Sequence, residues 1–153
     1  MRIPVAFSNL KTQALIDTGA AASFLAHRLL ICIPYNDIKE LKFSDPNVQL
    51  FRTVSVVVVN PIGKYELSIR LARRHPFIHQ FYVIKDLDEG CILGYDFFEA
   101  NKIVINPSER SISYTHENEV RNLIIPPLSI CLISIATPPQ LDLAGVPVEQ
   151  KKI

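Results

Sequence analysis

Apolar and polar positions along the chain follow the short-period pattern of strands. IPVAF (3–7) and TQALI (12–16) flank Ser8-Asn9, a two-residue turn that predicts a hairpin. TVSVVVV (53–59) is the most strand-like run, because consecutive valines favour a pleated, buried surface. Asn60-Pro61-Ile62-Gly63 turns it round, and YELSIRL (65–71) alternates as a half-buried strand does. IHQFYVI (78–84) follows the loop ARRHP, and KDLDEG is a polar turn before the apolar CILG (91–94). KIVIN (102–106) and SISY (111–114) bracket a turn at Pro107-Ser108.

Two segments read as helices. SFLAHRLL (23–30) predicts a short helix that Ser23 can cap. Asp96 with Glu99 three residues later has the form of a capping box, so a second short helix is expected there. About eight short strands and two short helices before residue 116 predict an all-β fold, a closed barrel or a sandwich. After Tyr114 the composition shifts. THENEVRN is polar, and a double proline then leads into another strand-like run, 123–136. Residues 117–153 read as a C-terminal extension, a β segment followed by a flexible tail.

The 153 residues suggest one domain, and 48% hydrophobic residues suffice for a modest core. A net charge of +1 gives no electrostatic case for nucleic acid or a membrane surface. The N-terminus lacks the apolar run of a signal peptide, and 123–136 is too short to span a bilayer. Cys32, Cys91 and Cys131 are odd in number and widely spaced, which fits neither a disulfide framework nor a zinc knuckle. An intracellular, cytoplasmic setting follows as the expectation. His75 and His79 in HPFIH are four apart, but Pro76 opposes a helix that would present both rings to a metal, so no metal is expected.

The stretch ALIDTGAAASFL (14–25) carries the chemistry. An apolar strand ends on the carboxylate of Asp17, and Thr18, Gly19 and three alanines follow. Gly19 allows a tight turn beside the acid, Thr18 supplies a hydroxyl, and Ala20, Ala21 and Ala22 leave room for a second backbone. Alone, such an acid can equally cap a turn or sit in solvent.

ALIDTGAAASFL resembles the active-site loop of the retropepsins, the aspartic proteases of retroviruses and long-terminal-repeat retrotransposons. A second motif strengthens the likeness. Ile92-Leu93-Gly94, followed by Tyr95-Asp96-Phe97-Phe98, resembles the late apolar-apolar-Gly motif that precedes the family's helix, in its gypsy-type form. The resemblance covers about residues 1–116 and implies a small closed β-barrel working as a homodimer. It implies a dyad of Asp17 from each chain, with no cofactor and no metal. Thr18 and Gly19 would support the loop, and Ala20 and Ile92 would contact substrate. Leu93, Gly94 and Asp96 would form the late structural motif. The substrate would be an extended polypeptide, the chain's own polyprotein, held as an added strand.

Two departures stand out. The expected flap, with its tip near 45–52 (DPNVQLFR), lies in a span without glycine between Gly19 and Gly63, whereas viral flaps are glycine-rich. Many viral members also pair a carboxylate two residues after the triplet's glycine with an arginine after the late glycine; here those positions are Ala21 and Tyr95. The missing pair implies a dimer held by other contacts, and the glycine-free flap keeps a second reading open, a non-catalytic dimerisation or peptide-binding module. A third reading is a cellular protease of the shuttle-factor type, although this chain carries no ubiquitin-like or ubiquitin-binding segment.

Overall fold

The structure, a computed structural model, describes residues 1–42, 51–52, 58–72 and 75–125. Strands β1 (Arg2–Phe7) and β2 (Leu10–Ile16) form the predicted hairpin, in register from Arg2↔Leu15 to Phe7↔Leu10. Ser8 takes φ 56° at the turn, the left-handed backbone that a two-residue hairpin loop demands. Strands β3 (Phe24–Ala26) and β4 (Ile38–Leu41) follow, separated by helix α1 (His27–Leu30) and a 3-10 turn, Tyr35–Asp37. Strands β5 (Phe51–Arg52) and β6 (Val58–Val59) pair as a short antiparallel ladder. The remaining residues of the expected flap tip, and Thr53 to Val57 of the valine-rich strand, lie outside the described residues.

The long strands β7 (Gly63–Leu71) and β8 (Pro76–Ile84) form the backbone of the fold, antiparallel from Gly63↔Val83 to Arg70↔Pro76. Both keep period two. Leu67, Ile69 and Leu71 face inward on β7, and Phe77, His79, Phe81 and Val83 do so on β8. Strand β9 (Cys91–Leu93) runs into helix α2 (Tyr95–Ala100). Strands β10 (Val104–Asn106), β11 (Ser111–His116) and β12 (Glu119–Ile124) make a separate antiparallel sheet.

Six strands close on themselves in the order β1-β2-β9-β3-β8-β7, and Val5↔Leu71 and Ala6↔Arg70 seal β7 to β1. Strand β4 flanks β7 outside that ring. Closure removes the open edges that an antiparallel sheet otherwise presents. The core is aromatic at its centre. Phe7 meets Phe81 edge-on at 5.6 Å, and Phe77 meets both Phe97 and Tyr114, so β8, α2 and β11 share one apolar interior.

Two expectations are corrected. The helix expected over 23–30 is only His27–Leu30, because Phe24, Leu25 and Ala26 form a strand wedged between β8 and β9. Two ladders of backbone hydrogen bonds and complete burial of Leu25 and Ala26 outweigh local helix propensity. The capping box at Asp96 and Glu99 does not form: Gly94 holds the N-cap position and has no side chain to cap the helix.

The polar stretch after Tyr114 also differs from its reading. Glu117 and Asn118 adopt left-handed backbone and turn β11 into β12, whose Leu123, with Ile125 just beyond, enters the core. Residues 126–153, including most of the apolar run 123–136, lie outside the described residues.

Candidate active site

Asp17 stands at the mouth of a crossing made by three strands. Strand β9 lies between β2, parallel to it at Ile16↔Leu93, and β3, antiparallel to it at Phe24↔Ile92. The loop 17–23 therefore has to leave β2, pass the end of β9 and return on its other side. This geometry delivers the Asp17 carboxylate to the surface at the end of a buried strand, where it is exposed. The Asp17 amide donates to the Leu93 carbonyl at 3.0 Å, which fixes its backbone. The Gly19 amide donates to Asp17 Oδ1 at 3.0 Å, and the Ala20 amide closes the turn on the Asp17 carbonyl at 3.1 Å. A Cβ on Gly19 would stand 3.2 Å from that same Oδ1, so glycine here serves room beside the carboxylate.

The backbone that approaches the alanine loop closely within the described residues is the chain's own. Gly94 lies so near the loop that a Cβ would come within 2.2 Å of the Ala22 carbonyl oxygen and 2.8 Å of that of Ala20. The Tyr95 amide donates to the Ala20 carbonyl at 2.7 Å. The structure thus brings Asp17, Gly19 and Ala20 together with Leu93 and Gly94. Thr18 and Ala21 are exposed beside them. Ile92 is half-buried and flanked in register by Leu15 and Phe24. The Tyr95 side chain is exposed, so neither half of the viral ion pair has a charged replacement at its own position.

Asp96 reaches the loop by its side chain. Its Oδ1 accepts from Ser23 Oγ at 2.7 Å and from the Phe97 amide at 2.8 Å. Its Oδ2 accepts from the Ser23 amide at 3.2 Å and lies 3.1 Å from His79 Nε2. Ser23 Oγ in turn accepts from the Gly94 amide at 3.0 Å. Burial pushes the Asp96 carboxyl up, but the His79 and Ser23 hydrogen bonds, the His79 charge and the Phe97 amide outweigh it. Together they hold the carboxyl below its ordinary value.

Sequence reasoning missed Ser23 and His79 as parts of this site. It took Ser23 for a helix cap and considered His79 only beside His75, as a metal pair that Pro76 argues against. The available signal was a histidine on the apolar face of an alternating strand, between Phe77 and Phe81. His75 and His79 have separate partners: His75 stacks on His116 at 3.8 Å. Among the described residues no group of three or more His, Cys, Asp or Glu is placed to hold a metal ion. Among them, too, no helix is long and apolar enough to cross a membrane.

No protein-family model matches the chain, and no curated protein does. Solved structures do. The retroviral protease-like domain of Ddi1 from Leishmania major superposes with a TM-score of 0.60 at 18% identity, over 84% of this chain and 95% of that one. At that identity the likeness speaks to architecture, and it agrees with the six-stranded ring and the crossing of β9 between β2 and β3. The described chain is a mostly β protein with the retropepsin-like fold, a closed barrel bearing a few short helices.

Proposed function

We propose that the chain is an aspartic endopeptidase of retrotransposon polyprotein type, active as a homodimer that pairs Asp17 with its symmetry mate. The observation that carries this reading is the exposed Asp17 carboxylate, oriented by the Gly19 amide on a loop bound through its backbone to Leu93 and Tyr95. The retropepsin-like fold agrees with it. One chain supplies one such acid, and proteolysis by this chemistry needs two across one water.

Two carboxylates about 3 Å apart share one proton, because both cannot ionise cheaply. The ionised partner takes a proton from water as the water oxygen bonds to the scissile carbonyl carbon. The protonated partner gives its proton to the carbonyl oxygen. Collapse of the tetrahedral species breaks the C–N bond: the amine leaves with the proton that the base acquired, and the other carboxylate takes a hydroxyl proton as the C=O re-forms, which restores the shared proton. The substrate lies as an extended strand in the cleft, with Ala20 lining it and Ile92 helping to form a side-chain pocket. Thr18 joins the two loops across the dimer. The chemistry calls for neither metal nor cofactor. Cys32 and Cys91 are free thiols, which supports a reducing, cytoplasmic compartment.

The alternative, a non-catalytic dimerisation or peptide-binding module, draws on one observation: Ala21 and Tyr95 are exposed where viral relatives carry an ion pair. Cleavage of a mixed peptide library between about pH 4 and pH 7, beside Asp17→Asn, separates the two. Cleavage that rises faster than linearly with protein concentration, and falls by at least about 100-fold in the variant, is expected. A folded, dimeric chain that cleaves nothing would transfer the assignment to the binding module.

A further inference from the structure

We propose that His79 is a positioning residue for the Asp17 loop, acting through Asp96 and Ser23, an inference that rests on the endopeptidase reading of that loop. The imidazole is nearly buried, 9% exposed, on the inner face of β8. Its ring is held edge-on between Phe81 at 5.4 Å and Phe97 at 5.1 Å, with interplanar angles of 87° and 89°. That packing fixes the ring orientation, and Nε2 meets Asp96 Oδ2.

Each hydrogen-bonding group in the chain of contacts is committed. Ser23 is fully buried; its hydroxyl donates once, to Asp96, and accepts once, from Gly94. The two Asp96 oxygens take four contacts, from Ser23 Oγ, the Ser23 amide, the Phe97 amide and His79. A buried network of this kind is stiff when complete and loosens when one member is lost. Without the imidazole, Oδ2 keeps only the Ser23 amide at 3.2 Å. Ser23 is the far anchor of the loop that begins at Asp17, held through its hydroxyl by Gly94 and through its carbonyl by the Tyr82 amide, and Tyr95 holds the middle of that loop at Ala20. Slack at Ser23 therefore reaches the Asp17 carboxylate, while the walls of the cleft stay in place. The expected signature is a fall in kcat with KM preserved, because misplacing a catalytic group by about 1 Å costs on the order of 100-fold.

The test uses the full chain with His79→Leu, His79→Gln and Ser23→Ala. Hydrogen exchange at the Asp17, Gly94 and Tyr95 amides is read against amides of the β1–β2 hairpin. Steady-state kinetics on a peptide that the parent cleaves supply the second readout. His79→Leu and Ser23→Ala should speed exchange at the three loop amides by about tenfold without changing the hairpin. They should lower kcat by about 10- to 100-fold with KM within about twofold. His79→Gln should restore both, since its amide nitrogen can donate to Oδ2 as the imidazole does. Unchanged exchange and kcat in His79→Leu overturn the proposal. If His79→Leu fails to fold, Ser23→Ala decides, and exchange unchanged there overturns it equally. If the parent cleaves nothing, the endopeptidase reading falls while the exchange measurements still decide the clamp.

Discussion

A Cβ on Gly94 would stand 2.2 Å from the carbonyl oxygen of Ala22 and 2.7 Å from its carbonyl carbon. Both obstacles are backbone, so no rotamer change relieves them. Gly94→Ala should therefore destabilise the chain by about 3 kcal/mol or more, at the upper end of overpacking substitutions, and chemical denaturation measures this directly. Gly19→Ala is the milder counterpart. Its Cβ would meet only the Asp17 carboxylate, at 3.2 Å. Stability should change by less than about 1 kcal/mol, while peptide cleavage drops because the carboxylate is displaced.

The Asp96 carboxyl makes acid stability depend on a single group in a predictable direction. Its folded value lies below the ordinary 3.8, so the folded state binds its proton less readily than the unfolded chain. The stabilisation is present above about pH 3.8 and is lost as pH falls through the folded value. Asp96→Asn should remove that part of the acid dependence and lower stability at neutral pH. Thermal melts from about pH 2 to pH 7 on both proteins would show it.

At the turn end of the β11–β12 hairpin, His75 also lowers stability on acidification, but because its charged form is disfavoured. Burial and the neighbouring His116 push it below its ordinary 6.5, and Arg121 adds to this while Glu117 opposes it. A depressed histidine protonates more readily unfolded, so stability falls as pH drops from about 6.5 towards the folded value. His116 also lies 3.3 Å from Glu117, which ties the stacked pair to the hairpin turn. His75→Phe keeps an aromatic face on His116 and should remove this pH dependence. Hydrogen exchange across 111–124 at pH 5.5 and 7.5 would reveal the difference.

The two free thiols within the described residues should differ sharply towards an alkylating reagent. Cys32 is exposed, whereas Cys91 is fully buried and its thiol is pushed far up by burial and, less strongly, by Glu89. Site mapping after iodoacetamide treatment of native protein should find Cys32 modified and Cys91 protected until denaturant is added. Modification of native Cys91 would mean that β9 opens far more readily than its place between β2 and β3 implies.

What could be read from the chain was local. Ser8-Asn9 marks a hairpin, YELSIRL alternates, and both Asp17 and Gly94 sit in short patterns of distinctive composition. Phe24-Leu25-Ala26 was misread because its strand character comes entirely from two neighbours, 68 and 58 residues away in the registers Phe24↔Ile92 and Phe24↔Tyr82. Strand β12 was hidden because Leu123 alone of it is buried, while the apolar Val120 and Ile124 face solvent, so apolar positions do not mark its inner face. The Ser23–Asp96–His79 network has no local signature, since it joins residues 73 and 17 apart. The fold was thus legible, while the network that holds Ser23 beneath the loop was not.

The crossing of β9 between β2 and β3 also imposes an order of events. Asp17 lies early in the chain, yet the backbone contacts that anchor its loop from outside come from Tyr82, Leu93 and Tyr95, and those nearest the acid from the last two. A ribosome that has made only the first ninety residues has produced the acid without its anchor. Loop closure over such a separation is slow, and parallel pairing such as β2 with β9 is among the last contacts to be rewarded. Closure of the loop on Leu93 and Tyr95 is thereby a late step of folding, which cannot be completed before the chain beyond residue 90 has been made.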